Sequence, residues 1–162
     1  MPMPDFLREL RSHVGNRLLF LPGVVAVVLD DGGRVLLGQR ADNGRWALIS
    51  GIAEPGEQPA QTAVREVYEE TAVHAVPERL IGVYTTPVVE YPNGDRSQYL
   101  DIVFRCRAVG GQARVNDDES LEVGWFALDE LPELHPRQRA ALDHALTDGP
   151  AWFEAPTVPA QP

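Results

Sequence analysis

Three glutamates, Glu66, Glu69 and Glu70, stand at positions i, i+3 and i+4. At about 100° per residue, a helix gathers them within one arc of its surface. Like charges at this spacing repel one another and weaken a helix. A compensating cation explains such a grouping. Carboxylates are hard oxygen ligands, suited to Mg²⁺ or Mn²⁺, and no histidine joins them to favour zinc. Taken alone, three glutamates are also what a solvated acidic helix face looks like.

Arg65 can offset part of this charge, because it precedes Glu69 by four residues and follows Glu57 by eight. Glu57 lies in a Gly/Pro-rich loop, Gly51-Ile-Ala-Glu-Pro-Gly56, that leads into the helix.

The elements around this stretch must hold it in place. Ala60, Ala63, Val64, Val67 and Thr71 recur at helical spacing, so this face is expected to meet the core and leave the glutamates on the other side. Upstream, Asp5 to Val14 reads as a short amphipathic helix, and Gly23 to Asp30 as a buried strand. Asp31-Gly-Gly33 turns the chain into a second hairpin strand, Arg34 to Arg40, and Trp46 to Ser50 is a short strand entering the loop. Downstream, Leu80 to Tyr91 and Gln98 to Val109 flank the turn Pro92-Asn-Gly-Asp95. An acidic loop, Asn116 to Ser120, precedes a strand from Leu121 to Ala127, and Pro136 to Leu146 is a final helix. Strands and helices mix without a regular βαβ alternation, so the class is α+β, or an α/β/α sandwich. Residues 1–147 form one expected domain. The segment 148–162, with Pro150, Pro156, Pro159 and Pro162, lacks periodicity and is expected to be mobile.

Composition narrows the function. The 162 residues carry 24 acids against 14 bases, a net charge of −10. That argues against nucleic acid or an anionic membrane as partner. An acidic protein acting on phosphates needs divalent cations to neutralise both sides. The single cysteine, Cys106, excludes an internal disulfide and a cysteine-based zinc site. Flanked by Arg105 and Arg107, it reads first as a core or edge strand residue and second as a low-pKa thiol. The longest apolar run, Leu18 to Leu29, is broken by Pro22 and Gly23 and is too short to span a bilayer. With no secretory signal pattern, cytoplasm is the default compartment.

The stretch from Gly51 to Val73 resembles the signature of the Nudix hydrolase family, G-x5-E-x7-R-E-U-x-E-E-x-G-U with U aliphatic. Gly51, Glu57, Arg65, Glu66, Val67, Glu69, Glu70 and Val73 match in place, and Ala72 stands where the family has glycine. The resemblance extends over roughly residues 20 to 147 and implies a Nudix-type α/β/α sandwich with a mixed β-sheet. It implies that Glu66, Glu69 and Glu70 ligate Mg²⁺ (Mn²⁺ as substitute), with Glu57 assisting and Ser50 offering its carbonyl. Arg65 would orient Glu57, and Glu66 or Glu69 would be the general base. A further carboxylate would come from Asp117, Asp118, Glu119 or Glu122, with Glu119 preferred. Arg40 is a candidate phosphate ligand and Trp46 a candidate base-stacking residue, although a salt bridge and core packing explain these two equally well.

The implied reaction is hydrolysis of a phosphoanhydride in a nucleoside diphosphate linked to another group: ADP-ribose, a nucleotide sugar or a nucleoside triphosphate. The alternative is a catalytically weak nucleotide sensor on the same fold. A small-molecule nucleotide is the expected partner, and a homodimer is left open. An alanine in the left-handed region costs about 1–2 kcal/mol, so Ala72 is expected to be accommodated by an altered helix exit.

Overall fold

A computed structural model describes residues 3–156 of the chain. The elements are α1 (Asp5–Val14), β1 (Leu19–Leu29), β2 (Val35–Arg40), β3 (Trp46–Ala47), β4 (Ile49–Ile52), α2 (Pro59–Thr71), β5 (Val73–Thr85), β6 (Val89–Glu90), β7 (Arg96–Gly111), β8 (Ser120–Phe126), α3 (Pro136–Leu146) and β9 (Trp152–Phe153). The strands form one mixed sheet in the order β3-β2-β1-β7-β5-β9, with β4 on β1, β6 on β7 and β8 on β2.

β1 runs parallel to β7 along its whole length and is apolar at nearly every position because both of its faces are covered. Val25, Val27 and Leu29 join a core with Leu37, Ile81, Val103 and Leu142 of α3. Val24, Ala26 and Val28 join a second core with Ile49, Cys106 and the α2 residues Ala63 and Val67. The result is an α/β/α sandwich with one core on each side of the sheet, an α+β fold as expected. α1 buttresses the β6–β7 turn: the Arg11 guanidinium donates to the carbonyls of Gly15, Arg17 and Arg96 and to Ser97 Oγ.

Several local expectations need correction. β1 and β2 meet in register only at Leu29 and Val35, because β1 is taken by β4 and β7 and β2 by β3 and β8. The single strand expected over Trp46 to Ser50 is two strands with different partners. The strand expected from Leu80 begins at Val73, directly after α2, and is carried across three register shifts on β7. Val64 is 38% exposed, and the buried stripe of α2 is Thr62, Ala63, Glu66, Val67, Glu70 and Thr71. Two of the three glutamates thus lie on the side that faces the sheet, not away from it.

α2 ends at Thr71, and Ala72 takes the left-handed conformation (φ 57°, ψ 17°), the only non-glycine residue with positive φ among those described. The expected strain-free exit is not taken. The Ala72 N–H still closes on the Tyr68 carbonyl at 2.8 Å, and burial of Ala72 holds the strained residue in place. Cys106 is buried and its thiol is pushed up to about 12 by desolvation, which leaves it as a core residue and removes the reactive-thiol reading. Within the segment expected to be mobile, Trp152–Phe153 pairs with β5, while residues 157–162 lie outside the described residues.

Candidate active site

Pro59 opens α2 at its first turn, where its missing N–H costs nothing, and the Gln61 side chain accepts from the Gln58 N–H at 2.8 Å. Apolar Ala63 and Val67 dock the helix on the sheet, and this docking fixes Glu66 and Glu70 between helix and strands. Glu66 is 2% exposed, and its carboxyl lies over Gly51 of β4, where an added Cβ would overlap it. The glycine is therefore needed for the close approach of the acid.

Arg65 organises the loop side. Its Nε and Nη2 hold the two oxygens of Glu57 at 2.7 and 2.9 Å. Nη1 reaches Glu66 at 2.7 Å and Glu69 at 3.1 Å, and Nη2 also donates to the Ile52 carbonyl. Every N–H of the guanidinium is thereby used. Glu57 further accepts from Thr62 Oγ1 and the Glu54 N–H. The guanidinium hydrogen bonds, with these others, hold the Glu57 carboxyl down at about 2, so it stays charged.

The other two acids behave in the opposite way. Burial pushes Glu66 up to about 7, against the pull of Arg65. Burial pushes Glu70 up to about 8, and repulsion from Glu66 and Asp117 adds to it, while Arg40 and the Ser50 N–H oppose it. Glu69 sits at the rim with 42% of its side chain exposed.

The acidic loop reaches this site because the segment before it caps α2. The Arg114 and Asn116 N–H groups donate to the Thr71 and Glu70 carbonyls, and the Asn116 side chain donates to Tyr68. That anchors Asp117 beside Glu70. One Asp117 oxygen accepts from the Glu119 N–H, and the other, Oδ2, is buried without a hydrogen bond. The sequence reading preferred Glu119 from this loop. Glu119 donates its main-chain N–H to Asp117 and gives its carbonyl to Ala41, and Asp117 is the member with an electrostatic effect on Glu70.

Arg40, at the end of β2, forms a two-pronged pair with Asp42 at 2.9 and 2.7 Å and is also within electrostatic reach of Glu70 and Tyr91. It is thus both salt-bridged and poised at the acidic site. Trp46 is half-buried, edge-on to Phe126 with centroids 4.7 Å apart, so packing accounts for it.

The donor set is carboxylate oxygen throughout, with two buried acids lacking full compensation and one orphaned oxygen. These residues fit a hard divalent cation. Among the described residues no three acidic, histidine or cysteine groups close on one ion position, and Arg65 engages Glu66 and Glu69. Arg65 uses one oxygen of each, which leaves the other oxygen of Glu66 and of Glu69 outside that pair.

The NUDIX domain family model matches residues 19–146. A MutT-like protein of Streptomyces ambofaciens is 39% identical over 110 residues, 68% of this chain and 66% of that protein. The ADP-ribose pyrophosphatase of Methanocaldococcus jannaschii is 34% identical over 142 residues, 85% of this chain and 75% of that protein. Among solved structures, a UDP-X diphosphatase superposes with a TM-score of 0.64 at 26% identity, covering 88% of this chain and 70% of that one. No helix among the described residues is long and apolar enough to cross a membrane.

Proposed function

This chain belongs to the Nudix family and is a Nudix hydrolase, and from that premise we propose that it is a Mg²⁺-dependent pyrophosphohydrolase acting on a nucleoside diphosphate linked to a second group, as in ADP-ribose or a nucleotide sugar, with nucleoside triphosphates as the other substrate class. The observation that carries this reading is the burial of Glu66 and Glu70 on α2 beside the orphaned oxygen of Asp117. Two carboxyls held between helix and sheet with their charge disfavoured are costly unless a cation joins them.

Glu66, Glu69, Glu70 and Asp117 are the side chains that would hold Mg²⁺, with Mn²⁺ as substitute, and Ser50 would add its main-chain carbonyl. A bound ion would withdraw charge from the diphosphate and make a water easier to deprotonate. Glu57 stays anionic and is fixed by Arg65, so it keeps that guanidinium in register with the helix. Glu69, the exposed member, is best placed to take a proton from an attacking water, and Glu66 is the buried alternative. Arg40, oriented by Asp42, lies within electrostatic reach of Glu70 and could donate to a phosphate oxygen once a cation screens the acids.

The test is product release from a panel of ADP-ribose, UDP- and GDP-sugars and nucleoside triphosphates, titrated with Mg²⁺. Turnover that rises with Mg²⁺ and vanishes in excess EDTA is expected. Full turnover in EDTA would overturn the mechanism, and nucleotide binding with no turnover on any substrate would return the chain to the sensor reading.

A further inference from the structure

The two faces of the sheet are not covered alike. α3 packs on the face that carries Val25, Val27 and Val103. α1 lies on that same face, because Arg11 donates to Ser97 Oγ and Ser97 is in step with Val103 on β7. The opposite face has α2 alone, and the core beneath α2 reaches Val24 on β1 and Phe104 on β7 but goes no further towards the start of β1.

Beyond that limit the register sets apolar residues side by side on the face of α2. Phe20 is in step with Val24 on β1, opposite Gln98, and Leu100 and Ile102 follow Gln98 on β7. Ile102 is level with Val83 on β5, Val83 with Phe153 on β9, and Leu80 with Phe104. Phe20 is 60% exposed and Phe153 70%, and Leu80 is exposed as well. Leu100, Ile102 and Val83 between them are half-buried. No charged side chain falls among these six, and Gln98 and the Arg96–Glu90 ion pair stand at their margin. Phe20 and Phe153 occupy opposite corners, three strand spacings and four residues apart, roughly 20 Å, with Leu100 near the midpoint.

An aromatic side chain buries about 150–250 Å², so the two phenylalanines alone leave on the order of 250 Å² in water. The aliphatic residues bring the patch to the several hundred Å² at which an apolar face marks an interface. A standard interface buries about 800 Å² on each partner, with an apolar core and a polar rim, which is the arrangement found here.

We propose that this face is the contact between two copies of the chain, related by a two-fold axis near Leu100 that lays Phe20 of each copy on Phe153 of the partner subunit. A two-fold contact brings one patch against itself, and anchors on opposite sides of the axis then meet. Charge points the same way. The net charge is −10, so two copies repel wherever their acids are exposed, and this face presents none. A foreign partner would find no charge here to be selected by. The contact also backs Pro22, whose carbonyl accepts from the Ala53 N–H at 3.1 Å where the Glu57 loop begins. It stands or falls independently of the catalytic reading.

Sedimentation velocity on the full chain over a concentration series gives the mass and Kd of the wild type, Phe20→Glu, Phe153→Glu and Leu121→Glu. Leu121 is the control, an exposed residue on β8. The wild type is expected to sediment at twice the 17.8 kDa of one chain. The phenylalanine variants are expected to weaken pairing by about thirtyfold or more, as loss of a central anchor does, and Leu121→Glu by less than about threefold. A cross-link checks the geometry without adding charge. The double variant Phe20→Cys/Phe153→Cys is expected to form covalent dimers under mild oxidation and each single variant not to, because cysteines bridge only when their Cα atoms lie within about 7 Å. The native Cys106 is buried and stays out of the reaction. A monomeric wild type overturns the proposal, and so does growth beyond a dimer with concentration. Pairing unchanged in both phenylalanine variants, or lost as fully in Leu121→Glu, also overturns it. Should a glutamate variant fail to fold, the cross-link decides: none in the double variant, or as much in a single variant, is equally fatal.

Discussion

α2 and α3 cover opposite faces of the same sheet, are of similar length and both begin with proline, yet they dock by different means. α3 buries Ala141, Leu142 and Ala145 and exposes an Arg139–Asp143 pair to solvent. Its attachment is hydrocarbon packing joined by hydrogen bonds from Arg79 and Arg105 to its last carbonyls, and it buries no acid of its own. α2 buries Ala63 and Val67 but also Glu66 and Glu70, and it relies on Arg65 and on protons or cations to offset them. One helix presents an apolar stripe to the sheet, and the other presents two acids whose charge burial disfavours.

The sharpest way to break this comparison is to remove the organiser of each side. Arg65→Ala leaves Glu57 and Glu66 without their donor and is expected to cost about 2–4 kcal/mol in a urea melt, with kcat/KM falling at least ~10²-fold. Leu142→Ala is expected to cost a similar ~2–5 kcal/mol through the cavity it opens, while kcat well below its melting temperature stays within a few-fold of the wild type. A loss of kcat as large in Leu142→Ala as in Arg65→Ala would erase the distinction between the two helices.

Next come the acids themselves. Glu69→Gln and Glu70→Gln are expected to fold and to lose at least ~10²-fold in kcat, as proposed base and metal ligand. Turnover near the wild-type value in both variants would sink the site.

The pH response should carry the signature of α2. Glu66 and Glu70 are raised from 4.5 to about 7 and about 8, chiefly by burial, so the folded chain holds these protons more tightly than the unfolded chain. Their contribution to stability is fully present below the unfolded value and is lost as pH rises through 7 and 8. Glu57 is depressed to about 2, so its contribution has the opposite sign: present above 4.5 and lost on acidification. The metal-free protein should therefore melt lower at pH 9 than at pH 6, and Glu70→Gln should reduce that drop by about 2 °C or more. A flat profile between pH 6 and 9 would mean that the two acids are solvated like those of α3.

The smallest effect concerns Ala72. Replacing it with glycine relieves the left-handed alanine and is expected to stabilise the chain by about 1 kcal/mol, with activity within about tenfold. A gain of several hundredfold in kcat would show that the alanine cripples the site.

Much of this was legible in the sequence, and the reason is local. The glutamates, Arg65, Glu57 and Gly51 act over one turn of helix or one loop, where spacing determines geometry, and α3 and α1 follow from periodicity and proline. What spacing could not give depends on non-local partners. Val64 and Glu66 exchange expected faces because the sheet, not the helix, chooses which side is buried. Ala72 keeps a strained conformation because the surrounding core outweighs the cost of one residue. The acidic loop comes near α2 because Asn116, far along the chain, donates to the Glu70 and Tyr68 carbonyls at the end of that helix.

The central claim is that α2 holds buried acids for a divalent cation. Thermal melts at pH 8.5 with and without saturating Mg²⁺, on the wild type and on Glu70→Gln, test it without reference to any substrate. The account predicts that Mg²⁺ raises the wild-type melting temperature by several degrees, roughly what a ligand present at a hundred times its Kd supplies, and raises that of Glu70→Gln far less. An equal shift in both proteins, or none in the wild type, would contradict it.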